Sequence, residues 1–230
     1  MTTAVVGAGG ATGLECVKKL LAEGHTVKAV VRSPAKYEKE KEFPASDNLK
    51  IVKGDVTDVA SLESAFEGVD NVIFTASGSS YWSAPSVDFQ GVGKTAHAAV
   101  KAGAKKVVLV SALKVTAKNR WDPIRILLNN VRWGLMDNKF KGEELLRHNG
   151  ISYTVVRPGG LKNTPAGEEH LIAGQGDTIS GSVSRADVAA VCVAALQSEA
   201  AQRVTLELIS KPERPINPPE SIFENLKPDA

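Results

Sequence analysis

Residues 5–13, Val5-Val6-Gly7-Ala8-Gly9-Gly10-Ala11-Thr12-Gly13, decide how the chain is read. They join a short apolar run that begins at Thr3 to a segment whose Leu14, Val17, Leu20 and Leu21 fall on one helical face. Gly7, Gly10 and Gly13 make a G-x-x-G-x-x-G spacing, and Gly9 adds a G-x-G within it. Three physical demands meet in such a stretch: a sharp turn from strand to helix, a backbone that lets a pyrophosphate approach, and a helix close to its sheet. The free N–H groups of the helix start, with the helix dipole behind them, then hold phosphate.

Outward from this loop, strand-like and helix-like patterns alternate. After the first strand (3–7) and helix (11–23), apolar strands are read at 25–32, 48–55, 69–78, 105–112, 152–160 and 203–210. Helical patterns lie between them at 58–67, 87–103, 123–149 and 185–198. Regular alternation predicts an α/β protein with a Rossmann-like doubly wound parallel sheet flanked by helices on both faces. Residues 1–210 are expected to form one nucleotide-binding domain with an integrated substrate pocket. The proline-rich stretch 211–230 is expected to be an irregular tail, loose or lying across a neighbour. The charge-rich segment 34–48 reads as a solvated helix or loop.

Arg32 closes the second strand, where a carboxylate would bind the ribose 2′-hydroxyl of NAD. An arginine there suits the 2′-phosphate of NADP, with Ser33 and Lys36 assisting. The expected cofactor is therefore NADP, with NADPH preferred over NADH.

Composition narrows the remaining classes. A net charge of +2 gives no general electrostatic case for nucleic acid or acidic membranes. No apolar run is long enough to insert across a bilayer. Cys16 and Cys192 fall in helical patterns and are expected to be buried and reduced. The first strand begins almost at Met1, so the expected compartment is the cytoplasm, or the plastid stroma if a transit peptide has been removed. His25, His97, His148 and His170 have no metal-ligand spacing, so no metal is expected. Ser111 has no His/Asp partners for a triad, and Gly93-Lys94-Thr95 lies inside a helical pattern.

Several motifs in order carry a family resemblance: VVGAGGATG (5–13), GDVTD (54–58), VSAL (110–113), GISYTVVRPGGL (150–161) and VSRADVAAVCVAAL (183–196). With them the chain resembles the atypical short-chain dehydrogenase/reductases, an NAD(P)H-binding group that includes NmrA-like and biliverdin-IXβ-reductase-like proteins. It looks closest to the plastid and cyanobacterial branch. The resemblance implies that Gly7, Gly9, Gly10, Ala11, Thr12 and Gly13 form the pyrophosphate loop, and that Asp55 and Val56 flank the adenine. It places Thr75, Ala76, Ser77 and Gly78 beside the ribose, Ser111 and Ala112 near the nicotinamide, and Pro158, Gly159 and Gly160 along the nicotinamide ring. Arg185 and Asp187 open a helix and read as a cap or ion pair.

The family's Tyr-x-x-x-Lys pair is incomplete. The lysine matches Lys139, but the tyrosine position is Leu135, and using Lys141 instead puts Asp137 there. Tyr37, Tyr81 and Tyr153 are the chain's tyrosines, and Tyr81 lies in the loop after the fourth strand where substrate is expected. Ser111, Lys139 and Tyr81 are thus the catalytic candidates. Without the tyrosine acid the expected reaction is hydride delivery to a small conjugated acceptor of flavin, quinone or carbonyl type, with solvent supplying the proton. The alternative is a non-catalytic NADP-binding redox sensor or assembly module. A monomer or homodimer acting on a small molecule is expected. Asp122 and Pro123 start a helix whose Ile124, Leu127, Leu128, Val131 and Leu135 should pack on the sheet or a second subunit, with Trp121 and Trp133 in core or interface.

Overall fold

Residues 1–40 and 43–229 are described by a computed structural model. Ten strands follow in chain order among them: β1 (Thr2–Val6), β2 (Thr26–Val31), β3 (Leu49–Lys53), β4 (Asn71–Phe74), β5 (Lys106–Val110), β6 (Ser152–Pro158), β7 (Gly160–Lys162), β8 (His170–Gly174), β9 (Ser182–Ser184) and β10 (Val204–Lys211). Helices α1 (Ala11–Ala22), α2 (Pro34–Glu40), α3 (Val59–Ala65), α4 (Gly91–Lys101), α5 (Pro123–Val131), α6 (Leu135–Arg147) and α7 (Arg185–Gln197) run between them. The sheet order β3-β2-β1-β4-β5-β6-β10 is parallel throughout, and the winding direction reverses between β1 and β4. Ligands of open parallel sheets bind at such a reversal, beyond the carboxyl ends of the strands.

Strands covered on both faces need apolar side chains on both, and Ala4, Val5, Val6, Val72, Ile73 and Phe74 supply them. On one face Cys16 and Val17 of α1 pack with Val188 and Cys192 of α7. On the other, Leu62 of α3, Val92 of α4 and Leu146 of α6 surround Phe66 and Tyr153. Both cysteines are buried, as expected.

The helix starts follow local chemistry. The Asp58 and Asp122 carboxylates cap α3 and α5. Ser184 caps α7 by accepting from the Asp187 N–H, while the Ser184 hydroxyl donates to the Asp187 carboxylate. Asp187 is therefore structural, as the sequence suggests.

Four features depart from the sequence reading. The pattern at 123–149 is two helices, because Trp133 (φ 22°) and Gly134 (φ 66°) turn the chain through the left-handed region. As a result α5 swings off the sheet, and Ile124, Leu127 and Val131 are exposed where a packed face was expected, while Leu135 is buried. A π-helical turn at Pro85–Gln90 leads into α4. Strands β7, β8 and β9 are too short to show a period in sequence, and β8 and β9 run antiparallel to β10. The tail is irregular apart from one 3-10 turn (Pro219–Phe223), but it packs on its own chain and is not loose. Ile222 and Phe223 are buried in the α1/α7 core, and Asn217 exchanges hydrogen bonds with the Leu171 backbone. Asp229 accepts from Tyr153 Oη (3.0 Å) and Thr205 Oγ1 (2.6 Å). Burial and that bond to Asp229 push the Tyr153 phenol up to about 12. The charge-rich segment begins as α2, and residues 41–42 of it lie outside the described residues.

Candidate functional site

The glycine loop lies at the sheet's reversal point. Gly7 has φ +79°, and a Cβ there would come within 2.7 Å of the Ala76 backbone at the end of β4. A Cβ at Gly13 would run into the Gly7 carbonyl, so the start of α1 sits directly against the loop. Thr75 secures the arrangement from β4, its hydroxyl donating to Val6 O at 2.9 Å. Gly10 caps α1 with no side-chain bond, so the first-turn N–H groups of Ala11, Thr12 and Gly13 are the orphan donors that suit a phosphate. A cradle with no room for a Cβ and an uncapped twelve-residue helix fits the pyrophosphate of a dinucleotide.

Tyr37 was not singled out by the sequence, yet its phenol lies against Gly9, where any Cβ would collide with the ring. The ring also packs on Phe43 at 5.4 Å between centroids. No periodicity marks it, since it lies in a stretch of mixed charge.

Arg32 is exposed beyond β2, and its guanidinium makes no hydrogen bond among the described residues. Ser33 is exposed beside it. Asp55 receives the Thr57 N–H at 2.8 Å and the Thr57 hydroxyl at 2.7 Å. The Thr57 backbone bond holds its carboxyl below the usual range, with a smaller contribution from the Arg32 charge. Val56 is buried against Gly91.

Ser111, at the end of β5, and Lys139, on α6, meet Asp88 and Phe74 around one gap too narrow to admit a water molecule. The Lys139 ammonium pairs with buried Asp88 at 2.9 Å. Asp88 also accepts from Ser77 Oγ (2.9 Å) and from the Gly78 N–H (2.8 Å), so one carboxylate ties the lysine to the end of β4. The Ser111 hydroxyl donates to Glu143 Oε1 at 2.6 Å. Glu143 is fully buried on α6 and receives Arg157 through Nε (3.0 Å) and Nη2 (2.6 Å), and Arg147 Nη2 at 3.0 Å. Burial works against the Arg147 charge, but Glu143, Asp229 and Glu144 outweigh it and raise its pKa.

This arrangement limits the chemistry of the cluster. Ser111 turns its proton inward to a carboxylate flanked by two guanidinium groups, so it offers lone pairs outward. Lys139 has three ammonium protons and Asp88 takes one direction, which leaves donors for a ribose. Tyr81 is not part of this cluster. It is 41% exposed, edge-on to Trp82 at 4.7 Å and 5.8 Å from Trp133. Leu135 is buried and brings no polar atom.

The loop after Ser111 is held from two sides. Asp177 accepts from the Lys114 and Thr116 N–H groups and from the Thr116 hydroxyl, while Arg125 donates to the Lys114, Val115 and Thr116 carbonyls. Burial opposes the Asp177 charge, yet the Thr116 and Lys114 bonds prevail and lower its pKa.

Sequence reasoning missed Asp88, Glu143, Arg157, Asp177 and Arg125. Of these, Arg157 alone left a signal, a charge within an otherwise apolar central strand. The Pro158-Gly159-Gly160 run does mark a close backbone approach, but within the chain itself: the Gly181 carbonyl occupies the space of a Gly159 Cβ. The Gly160 N–H donates to that same carbonyl at 2.9 Å.

Comparison with known proteins agrees with this fold. The family described as NAD(P)H-binding matches residues 7–199. A chloroplastic protein of Arabidopsis thaliana is 35% identical over 93% of this chain and 70% of its own length. Sanguinarine reductase of Eschscholzia californica is 30% identical over 93% of this chain and 90% of its own. Among solved structures, the oxidoreductase YlbE of Lactococcus lactis superposes with a TM-score of 0.82 at 20% identity, covering 97% of this chain and 95% of that one. At that identity it shares the fold. No helix among the described residues is long and apolar enough to cross a membrane.

Proposed function

The chain belongs to the NAD(P)H-binding family, and on that premise we propose that it is an NADPH-dependent reductase of the atypical short-chain type. Its acceptor is a small conjugated molecule of the flavin, quinone or carbonyl class. The observation that carries this reading is the grouping of Ser111, Lys139 and Asp88 at the strand ends beyond the glycine loop, with no tyrosine acid among them. NADPH, when bound, supplies the hydride.

The chain's own residues bind, orient and exclude. The N–H groups of Ala11, Thr12 and Gly13 hold the pyrophosphate, with Gly7 and Gly10 making the tight turn against β4 and Gly9 admitting the Tyr37 ring beside it. Arg32 takes the 2′-phosphate, assisted by Ser33 and Lys36, and Asp55 and Val56 border the adenine. Thr75, Ala76, Ser77 and Gly78 form the ribose wall, against which Lys139 donates to hydroxyls. Ser111 offers a lone pair on the nicotinamide side, and Pro158, Gly159 and Gly160 close its edge. Tyr81 lies at the mouth, on the acceptor's path. The proton that completes reduction comes from water, since neither Leu135 nor Ser111 has one to give.

The reductase name of the Eschscholzia californica relative supports an enzyme. Chloroplastic relatives support a plastid stroma as well as a cytoplasmic setting. Burial of Leu135 at the tyrosine position favours the second reading, an NADP-binding module without turnover. Steady-state NADPH consumption against quinones, flavins and simple ketones separates the two. Turnover with the conjugated acceptors supports the enzyme, and tight binding with no turnover supports the module.

A further inference from the structure

The outward surface built by α5 and the loops beside it is apolar, aromatic and basic at once. All three tryptophans of the chain lie on it, Trp82, Trp121 and Trp133, and they are 67%, 77% and 50% exposed. Ile124, Leu127 and Val131, at helical spacing along α5, are exposed between Trp121 and Trp133. Trp82 packs at a tilt on Trp133, 4.9 Å between ring centroids, which joins the two indoles at one end of this ridge. Lys118 and Arg120 are exposed beside it, Lys114 and Arg132 are half-buried, and Arg125 is buried and paired with Asp137. The one acid within residues 113–134, Asp122, is taken up in capping α5.

The geometry points to this surface as a docking site for an anionic lipid surface, on which α5 lies flat with its apolar ridge in the headgroup region. Indole rings favour that boundary, leucine and isoleucine enter it, and lysine and arginine meet the phosphates. A second copy of the chain is a poorer match. A two-fold interface would set Lys118 and Arg120 against the same two basic side chains, with Asp122 as the nearest acid in sequence. A net charge of +2 spread over the whole chain conceals this local excess. The inference rests on the surface alone and is independent of the reaction.

The full chain is mixed with phosphatidylcholine vesicles, with and without phosphatidylglycerol, and followed by co-sedimentation and tryptophan emission. Binding is expected with phosphatidylglycerol present, with a blue shift as the indoles leave water and loss of binding at high salt. The double variant Trp121→Ser/Leu127→Ser should bind about tenfold more weakly. Lys118→Glu/Arg120→Glu should lose the preference for phosphatidylglycerol. Circular dichroism and thermal melting of both variants confirm that they fold. Absence of binding to the anionic vesicles, or equal binding by the folded variants, overturns the proposal. So does a dimer in light scattering that Trp121→Ser/Leu127→Ser splits, which would assign the surface to a second copy. Binding to poly-glutamate without binding to vesicles would assign it to an acidic protein instead.

Discussion

The Ser111 hydroxyl donates to Glu143 Oε1 at 2.6 Å, and Arg157 grips both oxygens of the same carboxylate. The serine's proton therefore points into the protein, toward α6. Ser111→Ala should lower kcat/KM by about tenfold, the effect of one positioning hydrogen bond, and not abolish turnover. Glu143→Ala leaves Arg157 and Arg147 buried without their counter-charge and should cost about 3–5 kcal/mol in urea unfolding. Complete loss of activity in Ser111→Ala would show instead that the serine is the proton donor.

Asp88 joins Lys139 to Ser77 and Gly78, so the lysine and the ribose wall should respond together. Asp88→Ala and Lys139→Ala are each expected to weaken NADPH binding by about tenfold, and the double variant by less than the product of the two. Titration by cofactor fluorescence gives the three affinities. Independent, multiplicative losses would separate Asp88 from the cofactor site.

Arg32 is exposed and makes no hydrogen bond among the described residues, so its charge is available to a 2′-phosphate. Arg32→Asp should weaken NADPH by about a hundredfold, with NADH changed by less than about threefold. Equal losses for both cofactors would remove Arg32 from the discrimination.

Lys106 stands at the other end of the sheet, at the start of β5, where its ammonium donates to the Ala195 (2.6 Å) and Ser198 carbonyls that end α7. Burial lowers its pKa from 10.5 to about 8. Between these values the unfolded chain binds the extra proton, so this residue makes stability rise as pH climbs from about 8 to 10.5. Below about 8 the lysine is charged in both states and that gain is gone. Urea midpoints across this range, compared with Lys106→Met, should show the slope in the wild type and a flatter profile in the variant.

The alternation of strands and helices was legible because the core asks each segment for one simple period. Val5, Val17, Val72 and Val107 all answer it. The glycine loop was legible because excluding a Cβ leaves glycine as the residue that fits, as at Gly7 and Gly13. What stayed hidden depends on contacts distant in sequence. Glu143 looks like any helix-surface glutamate until Ser111 and Arg157 are brought to it, and Asp177 like any turn aspartate until residues 114–116 close over it. The same limit explains α5. Its apolar stripe reads as core, and the left-handed break at Trp133-Gly134 is what turns it to solvent.

The most direct test of the reductase reading is NADPH oxidation, followed by loss of the reduced nicotinamide absorbance, with a quinone, a flavin and an unconjugated ketone in parallel. Multiple turnovers with the quinone or flavin, and none with the ketone, are predicted for a site that lacks a tyrosine acid. NADPH bound tightly by the wild-type chain and consumed with none of the three would contradict the account.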